Sequence, residues 1–257
     1  MSPLRIGITE RGDASLDFGW VNKLSTVDGA ILITKNITDK FMGHVHRCTE
    51  LGHRIIVHCT CTGWGKTILE PNVPTYQKQL DNLRTLLSKG FPKSNCVLRI
   101  DPIIPTEAGL NRAREVLLMA ESLGFLPDMR VRISLLDEFD HVKDRFIMAG
   151  LDTIYYSKNF PQYWEMQNTI RALHSFNATF ELCAEKYFPD SSKFIKCGCV
   201  SNKDLEILGL PQYTSGINPQ GRNGCLCLCA KTELLSKPEP CEHQCLYCYW
   251  KRPAERR

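Results

Sequence analysis

No apolar run reaches the roughly 18 residues that a membrane-spanning helix needs, so no membrane span is expected. The opening residues, Met1-Ser-Pro-Leu-Arg5, lack the apolar core of a secretory signal, which points to a cytoplasmic protein. No internal repeat and no low-complexity tract interrupts the chain. No glycine fingerprint follows the first apolar stretch, which argues against a dinucleotide-binding Rossmann fold. Net charge is low too: the formal value is +4, too small by itself to indicate a nucleic-acid partner. It is unevenly spread, because Lys251-Arg-Pro-Ala-Glu-Arg-Arg257 is strongly basic. What remains is 257 residues, 43% of them hydrophobic, enough for one sizeable core.

Cysteine is the residue in excess, with 13 in the chain. The odd number and the missing signal argue against a disulfide framework and for metal ligation. Cys48, Cys59, Cys61 and Cys96 are scattered, and the rest crowd between Cys183 and Cys248. Cys241, Cys245 and Cys248 follow a CxxxCxxC spacing, in Cys241-Glu-His-Gln-Cys245-Leu-Tyr-Cys248. Three thiolates can hold three corners of a [4Fe-4S] cluster and leave the fourth iron open for chemistry. The alternative is a zinc knuckle with His243 or another cysteine as fourth ligand, although zinc sites more often pair their ligands as CxxC twice over.

Short apolar stretches alternate with helical patterns through the first two thirds of the chain. Strands are expected at Leu4–Thr9, Gly29–Thr34, Arg54–Thr60, Cys96–Ile100, Met129–Ser134 and Thr179–Cys183. Amphipathic stretches lie between them, for example Thr75 to Lys89 with Leu80, Leu83, Leu86 and Leu87 on one face. Helices are also expected near Phe18–Leu24, Thr38–Leu51, Glu107–Leu123, Glu138–Met148, Gln162–Phe176 and Lys203–Leu208. This alternation predicts an α/β fold, a partial (β/α)6 TIM-like barrel over 1–185. Flavodoxin-like and full eight-stranded arrangements are the alternatives. A cysteine-rich extension over 186–257 would carry the cluster motif back over the barrel mouth, after a linker at Ser236-Lys-Pro-Glu-Pro240. Polar residues that close the strands belong at that mouth, where such folds bind ligands.

The triad, with an aromatic before its third cysteine, resembles that of the radical S-adenosylmethionine (radical SAM) enzymes. The likeness extends to a family of radical-SAM-like proteins whose triad is C-terminal. It rests on Ile33-Thr-Lys-Asn36, Thr62-Gly-Trp-Gly65 with Glu70-Pro71 and Pro74, and Leu98-Arg-Ile-Asp-Pro-Ile103. Ile133-Ser134, Cys183-Ala-Glu185 and Cys227-Leu-Cys229 complete it. That family is in turn distantly similar to spore photoproduct lyase, which repairs a thymine dimer in DNA. The chain departs from the pattern at Ala230 to Pro240, where an Asp-Ile-Gly turn would be expected.

The resemblance implies reductive cleavage of S-adenosyl-L-methionine to a 5′-deoxyadenosyl radical, which removes hydrogen from a substrate. It also implies an electron-donor partner of flavodoxin or ferredoxin type. A nucleotide or a modified thymine in DNA is the implied substrate. Thr34, Lys35 and Asn36 would hold the methionine amino group, with Lys35 an alternative partner for its carboxylate. Arg99, Asp101, Ser134 and Glu185 would meet ribose hydroxyls or the carboxylate, and Tyr247 the adenine. Packing for Tyr247 and a structural ion pair for Arg99–Asp101 are the alternatives. Glu10, Arg11 and Asp13 would line the substrate side, unless they form a solvated turn. Cys183, one of Cys197 and Cys199, Cys227 and Cys229 form a candidate second iron–sulfur cluster or zinc site, with plain buried cysteines as the alternative. Cys59 and Cys225 are expected in the core. Cys61 would face the cavity as a hydrogen-atom donor. The reading from a different class is a non-enzymatic nucleic-acid-binding protein stabilised by zinc or a cluster.

Overall fold

The computed structural model describes residues 3–137, 139–151, 162–185, 188–219, 221, 224–236 and 241–250. The basic tail and most of the Pro-rich linker, 237–240, lie outside the described residues. Eight parallel strands form one curled half-barrel: β1 (Ile6–Ile8), β2 (Gly29–Thr34), β3 (Ile55–Thr60), β4 (Cys96–Ile103), β5 (Arg130–Leu135), β6 (Phe180–Cys183), β7 (Phe194–Cys197) and β8 (Lys231–Glu233). Their order is β7-β6-β5-β4-β3-β2-β1-β8, with every pairing parallel. Apart from β8, neighbours in sequence are neighbours in space, as in a TIM-like barrel, and the reversal of a flavodoxin-like sheet is absent from this order. Among the described residues the sheet ends at β7 and β8 and does not close.

The first six strands are those the alternation predicts. β2 and β3 are buried along their whole length, as parallel strands covered on both faces must be. Helices α1 (Asp39–Glu50), α2 (Tyr76–Ser88) and α3 (Glu107–Ser122) start on threonine caps, with Thr38, Thr75 and Thr106 accepting from Phe41, Lys78 and Gly109 amides. They lay Phe41, Val45, Leu80, Leu83, Val116 and Leu117 on the outer face of the sheet. Helices α4 (Asp140–Met148) and α5 (Gln162–Leu173) follow β5. The expected helix near Phe18–Leu24 is a 3-10 turn at Val21–Thr26.

The inner face changes the expectation for the extension. Ile6, Ile8, Ile31, Ile33, Ile56 and Val97 point inward and are covered by Val200, Leu205, Leu208, Cys227, Leu228 and Ala230. The segment that departs from the resemblance supplies β8, which pairs with β1. The extension therefore contributes both edge strands and fills the lower interior; it does more than lie across the mouth. Its short helix α6 (Asn202–Ile207) has a capping box at Ser201, and buried Asp204 meets Arg130 at 2.8 Å. Arg130 and fully buried Arg132 both hold Glu181, at 2.6 Å each. Burial opposes the charge on Glu181, but Arg132 and Arg130 prevail and keep its carboxyl below the ordinary range.

Candidate metal centre

The period of two in the strands aims one polar row into the barrel. Thr60, Arg99, Arg132 and Glu181 are successive register partners across β3 to β6. Above them, at the C-terminal ends of the strands, opens a cavity of about 760 Å³. Cys241, Cys245 and Cys248 line it, as do Cys183 and Cys199.

The triad sits on two successive turns, closed by Gln244 N–H to the Cys241 carbonyl at 3.0 Å and Cys248 N–H to the Cys245 carbonyl at 3.2 Å. Gln244 takes a positive φ of 52° to make the first. The seat for this loop comes from three places in the barrel. The β3–α2 connection binds it through Leu246 N–H to the Leu69 carbonyl at 2.9 Å and Asn72 Nδ2 to the Glu242 carbonyl at 2.7 Å. Helix α4 adds Arg145, whose guanidinium donates to the carbonyls of Leu246 at 2.8 Å and Cys248 at 2.6 Å. Leu69, Val73, Ile104, Val142 and Phe146 pack around Cys245 and Tyr247.

The third attachment is Asp13, just after β1. Its carboxylate accepts from Ser15 at 2.8 Å, from Thr34 Oγ1 at 2.7 Å and from the Lys35 amide at 2.6 Å, and it meets His243 Nε2 at 2.9 Å. Burial favours its neutral form, yet the bond and charge of His243 and the Lys35 and Thr34 bonds hold its carboxyl below the usual value. Asp13 is 5% exposed, so the solvated turn read from its neighbours is wrong at this residue. His243 is spoken for: its ring serves as an anchor to Asp13.

Lys35, Glu70 and Tyr247 form a second buried anchor. Lys35 Nζ lies 2.8 Å from Glu70 Oε1 and 2.9 Å from the Tyr247 hydroxyl, which also donates to Glu70. Burial disfavours the Lys35 charge, but Glu70 and then Cys245 outweigh it and raise its pKa. Lys35 and Tyr247 reach the cavity wall, but their polar atoms are committed to joining loop and barrel. Glu70 carried no role in the sequence reading beyond its place in the resemblance. Its position in a Pro-rich connection gave no separate signal.

The remaining predicted contacts divide. Thr34, Arg99, Asp101 and Ser134 line the cavity. Asp101 is bound by both Arg99 and Ser134, so the ion pair is present. Asn36 turns away, its amide bonded to Thr34 Oγ1 at 2.9 Å. Glu185 accepts from the Leu135 amide at 2.7 Å and is not part of the cavity wall. Glu10 lines the cavity and is paired with Lys231. Cys61 is a correction: alternation sends Thr60 inward and Cys61 outward, where it is fully buried in the outer core near Tyr76. Cys59 lies in that core as expected.

Of the second cysteine group, Cys183, Cys199 and Cys227 come together. Cys183 and Cys199 have their sulfurs 3.3 Å apart, and Cys227 Sγ accepts the Cys199 amide at 3.1 Å. Cys199 thus stands between the other two. Cys197 is the register partner of Cys183 on β7, and burial pushes its thiol up to about 12. Cys229 is exposed beside Gly216. Tyr249, Trp250 and Phe139 form an aromatic rim at the mouth, with Tyr249 and Trp250 centroids 4.9 Å apart and the Arg11 guanidinium 5.7 Å from the Trp250 ring.

A family model described as a domain of unknown function (DUF1848) matches residues 20–250. The chain belongs to that family. The match runs from before β2 to beyond the triad, so β2 to β8, the segment that fills the interior and the cysteine loop fall within this family domain, and β1 precedes it. A search of curated proteins found no match. Among the described residues no helix is long and apolar enough to cross a membrane.

The donor set of the loop fits a cluster with an open corner. Three thiols face one cavity, and the only histidine of the loop is bound elsewhere. Burial raises the Cys241 thiol above its ordinary value, and the His243 backbone acts in the opposite direction.

Proposed function

We propose that the chain is a radical SAM enzyme with a [4Fe-4S] cluster held by Cys241, Cys245 and Cys248. When bound, the cluster would supply one electron and an open iron, cleaving S-adenosyl-L-methionine to a 5′-deoxyadenosyl radical that takes hydrogen from a substrate. The observation that carries this reading is the docking of the three thiols on the wall of one cavity at the C-terminal mouth of a parallel half-barrel.

The chain's own residues would position and exclude. Asp13 and the Lys35–Glu70–Tyr247 group fix the loop, so the thiols keep their places between turnovers. Arg99, Asp101 and Ser134 offer a preorganised set of donors and acceptors opposite the triad, suited to ribose hydroxyls and a carboxylate. The buried walls restrict water around a reactive radical. The aromatic rim and Arg11 suit a planar, anionic substrate such as a nucleotide or a modified nucleobase in DNA. The electron donor would be a flavodoxin- or ferredoxin-like protein. The test is anaerobic purification followed by reduction with dithionite in the presence of S-adenosyl-L-methionine. Brown protein that releases 5′-deoxyadenosine, with release abolished in Cys245→Ala, is expected. Colourless protein with stoichiometric zinc would sink the enzyme reading and favour a zinc-stabilised binding protein.

A further inference from the structure

The strongest chemistry outside the triad is the contact between Cys183 and Cys199. We propose that these two cysteines are a redox-active dithiol, which exchanges with low-molecular-weight disulfides entering the cavity and closes to an intramolecular disulfide. The inference stands on geometry independent of the cluster reading.

Their sulfurs are 3.3 Å apart, inside ordinary van der Waals contact, so small side-chain rotations bring them to bonding distance. They come from different elements: Cys183 ends β6, and Cys199 begins the segment that enters the barrel interior. Neither position is slack. The Cys199 carbonyl accepts from Arg132 Nη1 at 3.2 Å, and its amide is held by Cys227. The preceding Gly198 passes so close to the Leu226–Cys227 backbone that a Cβ there would lie 2.5 Å from the Cys227 nitrogen. Only glycine permits that crossing, and the crossing sets Cys199 against Cys183.

Access separates this pair from the other thiols. Cys183 and Cys199 both line the large cavity, and Cys183 is the more exposed of the two. Cys227 is 2% exposed and is not part of that wall. A small disulfide RSSR therefore meets Cys183 first. The Cys183 sulfur displaces one RSH and forms Cys183–S–SR. Cys199 then attacks the Cys183 sulfur, the S–SR bond breaks and a second RSH leaves. The two cysteines lose two electrons and two protons, and the disulfide gains them. Excess small thiol reverses both steps.

The test uses the full-length protein, kept anaerobic, treated with hydroxyethyl disulfide, alkylated and mapped by mass spectrometry. A Cys183–Cys199 cross-link that disappears on reduction is expected. In Cys199→Ser the second step is blocked, and Cys183 should keep the hydroxyethylthio cap. Cross-links scattered onto Cys197, Cys225 or Cys229 would overturn the proposal. So would Cys183 and Cys199 that stay fully alkylatable, or that become reactive only after a chelator strips a metal from them. The wild-type map decides the matter even if Cys199→Ser does not fold. None of these outcomes depends on S-adenosyl-L-methionine cleavage, so failure here leaves the radical reading standing.

Discussion

Asp13 shows how much one buried carboxylate can organise. Replacing it with alanine strands the donors of Ser15, Thr34 and His243 in a buried site, a loss of about 3 kcal/mol. Asp13→Ala should lower the urea midpoint and speed hydrogen exchange at the triad, without erasing the helical signal. Because its carboxyl is held below the ordinary 3.8, its stabilisation is complete above that value. It is lost as pH falls through the folded value, so exchange at the triad should rise sharply only in strong acid. Cys245 makes the opposite case, since burial pushes its thiol up to about 12. In metal-free protein it should resist iodoacetamide at neutral pH and react faster as pH rises, which peptide mapping would follow. The cysteines were legible from spacing alone. Asp13 was not, because its partner His243 lies 230 residues further along and nothing local in Glu10-Arg-Gly-Asp13 announces burial.

Among elements, the β3–α2 connection matters most, since it is the bed on which the triad lies. Gly65 allows its tight path: a Cβ there would sit 1.8 Å from the Pro74 carbonyl oxygen. Gly65→Ala must push that backbone apart, at a cost of about 2 kcal/mol or more. Thermal unfolding should register the loss, and iron retention after gel filtration should fall with it if the loop holds a cluster. Six strands could be read from short apolar stretches, which are buried throughout in β1, β2 and β3 and at alternate positions in β6. β7 and β8 could not: Phe194-Ile-Lys-Cys197 is short and Lys231-Thr-Glu233 is polar. They become strands only because β6 and β1 leave open edges for them.

For the molecule as a whole, the extension supplies about half of the inner buried cluster and both edge strands. A chain ending at residue 185 would bare Ile6, Ile8, Ile31, Ile33 and Ile56 and lose both edge strands. It should be insoluble or bind a hydrophobic dye strongly, whereas a self-sufficient half-barrel would stay soluble and fold cooperatively. The (β/α) pattern was visible in the sequence. The plug was not, because Cys197 to Ala230 carries little periodicity and packs through tertiary contacts alone. The central claim is that the triad presents an iron with an open site to S-adenosyl-L-methionine in this cavity. Electron–nuclear double resonance on the dithionite-reduced protein, with the cofactor labelled in its methionine carboxylate, addresses that claim most directly. Coupling between the label and the cluster spin, absent in Cys245→Ala, is the predicted result. A reduced cluster spectrum with no coupling, or protein that holds zinc and gives no such spectrum, would contradict it.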